Sequence, residues 1–142
     1  MLSSLLAARL PSVSTNEQTE NMIELKNVSK WYGAFQVLDD CSTHVDKGDV
    51  VVICGPSGSG KSTLIKTVNG LEPFQKGEII VDGVSVSDPK TNLSSLRARI
   101  GMVFQNYALY DFLTVGDNVG FPLVRRGEAP DAITQRVGER LR

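Results

Sequence analysis

Gly55-Pro56-Ser57-Gly58-Ser59-Gly60-Lys61-Ser62, with Thr63 next, has the spacing G-x-x-x-x-G-K-S. That spacing suits the holding of clustered negative oxygens such as those of a nucleoside triphosphate. A ring of backbone N–H groups solvates phosphate at little cost. Glycines let the chain take left-handed turns that aim successive N–H groups inward, and they leave no Cβ in the way. A helix beginning at about Gly60 adds its positive N-terminal end. In such a P-loop Lys61 reaches the β- and γ-phosphates, and the Ser62 hydroxyl is placed to ligate Mg²⁺.

Two elements must position this loop. Asp49-Val50-Val51-Val52-Ile53-Cys54 is a short, almost wholly apolar run, the pattern of a parallel strand buried on both faces. After the loop, Leu64, Ile65, Val68 and Leu71 recur at helical spacing, and Gly70 can end that helix. Strand, glycine loop and helix follow one another in the order that phosphate binding requires.

The rest of the composition narrows the class. A chain of 142 residues is at most one domain. Its 41% hydrophobic and 22% charged content is that of an ordinary globular protein. A net charge of −1 leaves no basic footprint for nucleic acid, so no nucleic-acid partner is expected. No apolar run reaches bilayer-spanning length, so a membrane role would come through a partner. Cys41 and Cys54 lack metal-ligand spacing and read as reduced core thiols of a cytosolic protein. His44 alternates with Val45 on an expected strand and reads as exposed and structural.

Residues 1–21 are rich in Ser, Thr and Asn after a Leu/Ala stretch that Arg9 and Pro11 interrupt. They read as a disordered tail, or as sequence ahead of a start at Met22, rather than as a targeting segment. From Met22 onward Ile23, Leu25 and Val28, then Phe35 to Val45, have β character. Lys47-Gly48-Asp49 is a turn. Lys76-Gly77 leads into a strand over Glu78–Val81, and Asp82-Gly83 turns the chain back. A short helix is expected over Ser94–Arg99, a strand over Gly101–Phe104 ending at Gln105, and helical character at Val115–Val119. A last helix starts near Pro130. Its Ile133, Val137 and Leu141 form an apolar stripe whose covering partner is not evident from the sequence.

These residues together resemble the ATP-binding subunit of ABC transporters over residues 22–142. Lys30-Trp31-Tyr32-Gly33 is similar to the segment whose aromatic residue stacks on adenine, which makes Tyr32 the stacking residue. Gly55, Pro56, Ser57, Gly58, Ser59, Gly60, Lys61, Ser62 and Thr63 match the family's P-loop. Gly101 to Gln105 resembles the strand ending in the family's Q-loop glutamine, which touches Mg²⁺ and the attacking water and moves when the transmembrane subunit docks. The resemblance thus implies an α/β fold, a P-loop NTPase core with an antiparallel β subdomain. It implies ATP and Mg²⁺ as ligands, Lys61 and Gln105 as catalytic residues, and Ser62 and Gln105 at the metal. Implied partners are transmembrane permease subunits and a second ATP-binding subunit. The implied location is cytoplasmic, peripheral on the inner face of the cell membrane.

The run Ser62 to Glu72 is most similar to importers of polar amino acids, glutamate and aspartate in particular. After Gln105, Asn106 to Tyr110 and Phe121-Pro122-Leu123 look more like sugar- or lipid-handling relatives. The family continues into an LSGGQ-type signature, a strand ending in Asp-Glu and a switch histidine, and none of these occurs here. Residues 22–142 therefore read as a partial domain, truncated before the signature motif. The residues that would hold the rest of the metal shell and polarise the water are missing from it. A non-catalytic nucleotide-binding fragment is the alternative. A soluble P-loop kinase would leave Tyr32 and the Gln105 segment without a role.

Overall fold

A computed structural model describes residues 6–9 (backbone only), 21–105 and 108–142. In chain order the elements are β1 Leu6–Arg9, β2 Asn21–Tyr32, β3 Phe35–Asp46, β4 Val51–Cys54, α1 Lys61–Val68, β5 Lys76–Val81, β6 Val84–Ser85, α2 Leu93–Arg99, α3 Val115–Arg125 and α4 Pro130–Arg140. They form two compact units, one ending at Gly101 and the other beginning at Met102.

In the first unit β3, β2, β5 and β6 make a four-stranded antiparallel sheet in that order. The β2–β3 hairpin closes on Gly33-Ala34, with Tyr32 paired to Phe35. Gly33, at φ +59°, takes the first central position of the turn, where a positive φ matches the twist of the flanking strands. Leu25 and Val28 from β2, Leu38 from β3, Ile79 and Val81 from β5, Leu64 from α1, Leu96 from α2, and Val86 form one buried core. Gly77 is fixed by close approach as well as by its φ of +89°. A Cβ there would lie 2.4 Å from the carbonyl oxygens of Lys26 and Asn27, at the irregularity in the β2–β5 register.

β4 departs from the sequence expectation. It pairs antiparallel with β1, Leu6 opposite Cys54 through Arg9 opposite Val51. Its side chains alternate: Val51 and Ile53 are half-buried, while Val52 and Cys54 are exposed. A strand is buried on both faces only where a layer covers each face, and among the described residues one face of β4 is uncovered. Cys54 is accordingly an exposed thiol, not a core one. Cys41 is half-buried. Burial pushes its thiol above the ordinary 9.0, and the Asp39 and Asp40 carboxylates push the same way. Leu6–Arg9 lie inside the stretch that reads as a tail, yet they are strand. The open backbone edge of β4 carries N–H and C=O groups that need partners, and β1 supplies them.

The strand expected over Gly101–Phe104 does not form: those residues lack regular structure, and Val103 is 89% exposed. Strand geometry persists where a neighbour completes the ladder, and no described strand pairs with this segment. In the second unit α3 is longer than Val115–Val119 suggests and runs through Pro122. Its start is a full capping box. Thr114 Oγ1 accepts from the Asp117 backbone N–H, and Asp117 accepts from the Thr114 backbone N–H. Two residues of the stripe, Ile133 and Val137, have their partner here, whereas Leu141 lies past the end of α4 and is 52% exposed. Built onto Gly120, a Cβ would meet Ile133 at 3.2 Å and Val137 at 3.3 Å, so α3 and α4 pack where α3 has no side chain.

Candidate functional site

Gly55 to Gly60 leave β4 as an irregular loop that feeds α1. Gly58 sits at φ +78° and Gly60 at φ +89°, the left-handed geometry that turns N–H groups to one side. Gly60 is further constrained, since a Cβ would stand 3.0 Å from the Val37 carbonyl oxygen and 3.1 Å from Leu38. The last turn of the loop is thus pressed against β3. Gly60 is also the N-cap of α1, and no side chain caps it. The first N–H groups of α1 therefore stay available to an external acceptor.

Lys61 is turned back over the loop. Its ammonium donates to the carbonyl oxygens of Gly55 at 2.8 Å and Pro56 at 2.7 Å, with Ser59 Oγ at 3.5 Å. A cation over a glycine-bent loop, beside an uncapped helix start, offers charge to an incoming anion. The same ammonium can exchange neutral carbonyls for charged phosphate oxygens, which form the stronger bonds. Pro56, Ser57 and Ser62 are exposed, Ser59 is buried, and Thr63 is half-buried on α1. The far end of α1 is held as well. Arg97 of α2 donates to the carbonyls of Asn69 and Gly70, placing a cation at the negative end of the helix.

Tyr32 ends β2 and is 48% exposed. It shares the first unit with the loop, and β3 connects them: Phe35 pairs with Tyr32, and Val37-Leu38 contact Gly60. Gln105 belongs to the second unit, where it is exposed in a turn. The Asn106–Tyr107 part of the segment compared with other transporters lies outside the described residues. Among the described residues no three His, Cys, Asp or Glu side chains cluster to hold a metal. A lone hydroxyl such as Ser62 suits Mg²⁺, which keeps most of its waters and takes its remaining ligands from substrate phosphates.

Three residues escaped the sequence reading. Lys30 is 2% exposed beneath Tyr32, with its ammonium 4.3 Å from the ring centroid. Gln75 bonds both backbone groups of Trp31, accepting from N–H at 2.9 Å and donating to C=O at 3.2 Å. Asn118 on α3 donates to the carbonyls of Tyr110, Leu113 and Thr114 and accepts from the Tyr110 N–H. Spacing carries no signal for contacts across 43 or 44 residues such as those of Lys30 and Gln75.

Known proteins resemble this chain in sequence and in fold. Residues 38–142 match the family described as ABC transporter. The chain is 64% identical over 112 residues to the glutamate/aspartate import ATP-binding protein GltL of Escherichia coli (strain K12), covering 77% of this chain and 46% of that one. It is 51% identical over 107 residues to the glutamine transport ATP-binding protein GlnQ of the same strain, covering 75% of this chain and 45% of that one. Among solved structures, a dimeric ATP-binding cassette in a post-hydrolysis state bound to ADP and Pi superposes with a TM-score of 0.70 at 29% identity, covering 83% of this chain and 55% of that one. This chain spans about half the length of the curated relatives it matches. The matched segment and the likeness to these relatives carry one conclusion: the chain belongs to the ABC transporter ATP-binding family.

Proposed function

We propose that this chain is the nucleotide-binding part of an ATP-binding subunit whose assembly couples ATP binding and hydrolysis to uptake of a polar amino acid. The carrying observation is the Lys61 ammonium bridging the Gly55 and Pro56 carbonyls over a loop bent by Gly58 and Gly60. In this reading Gly55 to Thr63 hold the triphosphate through backbone N–H groups. Lys61 moves from the carbonyls to the β- and γ-phosphates. Ser62 offers its hydroxyl to Mg²⁺, Tyr32 stacks on adenine, and Gln105 contacts Mg²⁺ and the attacking water. Mg²⁺, when bound, neutralises charge on the phosphates.

The transported class rests on likeness to the glutamate/aspartate and glutamine proteins. The proposed partners are permease subunits and a second ATP-binding subunit. No described helix is long and apolar enough to cross a membrane, so attachment to the inner face would come through the permease. Exposed Val103, Leu109, Phe112 and Val115 in the second unit are the apolar surface offered to it.

Titration calorimetry of the full chain with Mg·ATP, beside Lys61→Ala, tests the reading. Each charged hydrogen bond lost should remove about 1.5–3 kcal/mol, so ATP affinity should fall at least about tenfold. Equal affinity in the two proteins would refute phosphate binding at this loop. Binding without turnover would leave the chain a non-catalytic nucleotide-binding fragment.

A further inference from the structure

We propose that Lys30 is a positioning residue for the adenine platform, an inference that rests on the reading of Tyr32 as the stacking residue. An ammonium is an expensive group to bury, and this one is 2% exposed. It is held on three sides. It donates to the Pro73 carbonyl at 2.6 Å, lies 3.4 Å from a Glu72 carboxylate oxygen, and sits 4.3 Å from the Tyr32 centroid. Tyr32 itself is 48% exposed. Because the lysine is covered, the face of the ring against it is the inner face. The outer face is the one left for a base.

A cation behind an aromatic ring fixes the ring through its quadrupole without occupying the outer surface. The anchors of that cation have a second consequence. The N–H groups of Leu71 and Glu72 both bond the Lys66 carbonyl, so Glu72-Pro73 is the strap that closes the end of α1. The next residues grip the same hairpin. Gln75 N–H donates to the Ser29 carbonyl, the Gln75 side chain pairs with both backbone groups of Trp31, and the Lys76 ammonium lies 5.5 Å from the Trp31 ring. Base platform and phosphate helix are thereby tied through one short segment, with Lys30 as the tie that touches the ring. Lys30 tunes recognition of the base and leaves the phosphates to Lys61.

The test compares Mg·ATP with Mg·tripolyphosphate, a ligand with phosphates and no base, by calorimetry on the full chain. Lys30→Met keeps the apolar stem and removes the ammonium. It should weaken ATP about three- to tenfold and leave tripolyphosphate unchanged, and Lys30→Arg should recover most of the loss. Glu72→Gln, at a carboxylate 28% exposed, keeps the lysine and should lower the same ratio about twofold. It decides the matter if circular dichroism shows Lys30→Met unfolded. Tyr32→Ala checks the underlying reading. If it alone lowers the ratio, stacking stands and positioning by Lys30 is overturned. If it leaves the ratio unchanged, both fall. Equal weakening of both ligands by Lys30→Met would mean a merely structural lysine. Tighter ATP binding would mean that the ammonium competes with the base. Either result overturns the proposal.

Discussion

The first unit and the second use glycine for opposite purposes. Ahead of α1, Gly58 and Gly60 are there for their backbone angles, +78° and +89°, and Gly60 also because β3 leaves no room. On α3, Gly116 and Gly120 have ordinary helical backbones, and what they offer is a bare surface that α4 covers. The settings differ in the same sense. Among the described residues the first unit has a buried core of eight hydrophobic residues, whereas α3 buries only Gly120 and α4 buries nothing. The loop that would bind phosphate is therefore built on a rigid base. The second unit keeps Phe112, ahead of α3, and Val115 and Val124, on α3, exposed.

The largest expected effect lies in the loop. Gly60→Ala meets both a forbidden φ and the Val37 carbonyl oxygen at 3.0 Å, which cannot swing aside as a side chain would. It should cost about 2–4 kcal/mol and reduce ATP affinity at least tenfold in calorimetry. Gly58→Ala meets open space and carries only the conformational penalty, about 1–2 kcal/mol. Equal losses in the two variants would show that φ alone matters and that the contact with β3 does not.

Next comes Asn118. Its side chain joins Tyr110, Leu113 and Thr114 to α3 through four hydrogen bonds. Asn118→Ala leaves those backbone groups to water. The second unit should lose about 1–3 kcal/mol, read as faster amide exchange at 108–114. Unchanged exchange would mean that the aromatic contacts Tyr110–Phe112 and Tyr110–Phe121 suffice to hold the loop.

What could be read in advance follows from what is local. Gly60 as helix start, Gly70 after its end, the Asp82-Gly83 turn, α2 and α4 were all legible, because each is set by residues within a turn of one another. The bend of the Gly55–Gly60 loop was legible because its conformation is dictated by its own glycines. The environment of a strand is not local. Val50 to Ile53 and Gly101 to Phe104 have the composition of buried strands, but burial is decided by the layers around them, and Val50 is 60% exposed and Val103 89%. Leu6–Arg9 became strand because β4 offers an edge, which composition does not show. Lys30 was hidden for the complementary reason. A lysine beside an aromatic reads as surface charge until Pro73 and Glu72 are folded against it.

The smallest effect is also the one that most cleanly separates the two glycine roles. A Cβ on Gly116 would touch only Thr114 Oγ1 and Val137 at 3.9 Å, which is ordinary contact. Gly116→Ala removes backbone freedom from the unfolded chain and adds helix propensity, so α3 should gain about 0.5–1 kcal/mol. Gly120→Ala has the same propensity gain. It must move Ile133 or Val137, both ends of flexible side chains, by a few tenths of an ångström from 3.2–3.3 Å, and should come out near neutral. Chemical denaturation followed by helix signal distinguishes them. A gain at Gly116 with none at Gly120 places the close approach of α4 at Gly120. If both variants gain equally, α4 yields freely and the glycine surface is a convenience. If both lose stability, these glycines, like those of the loop, are required where they stand.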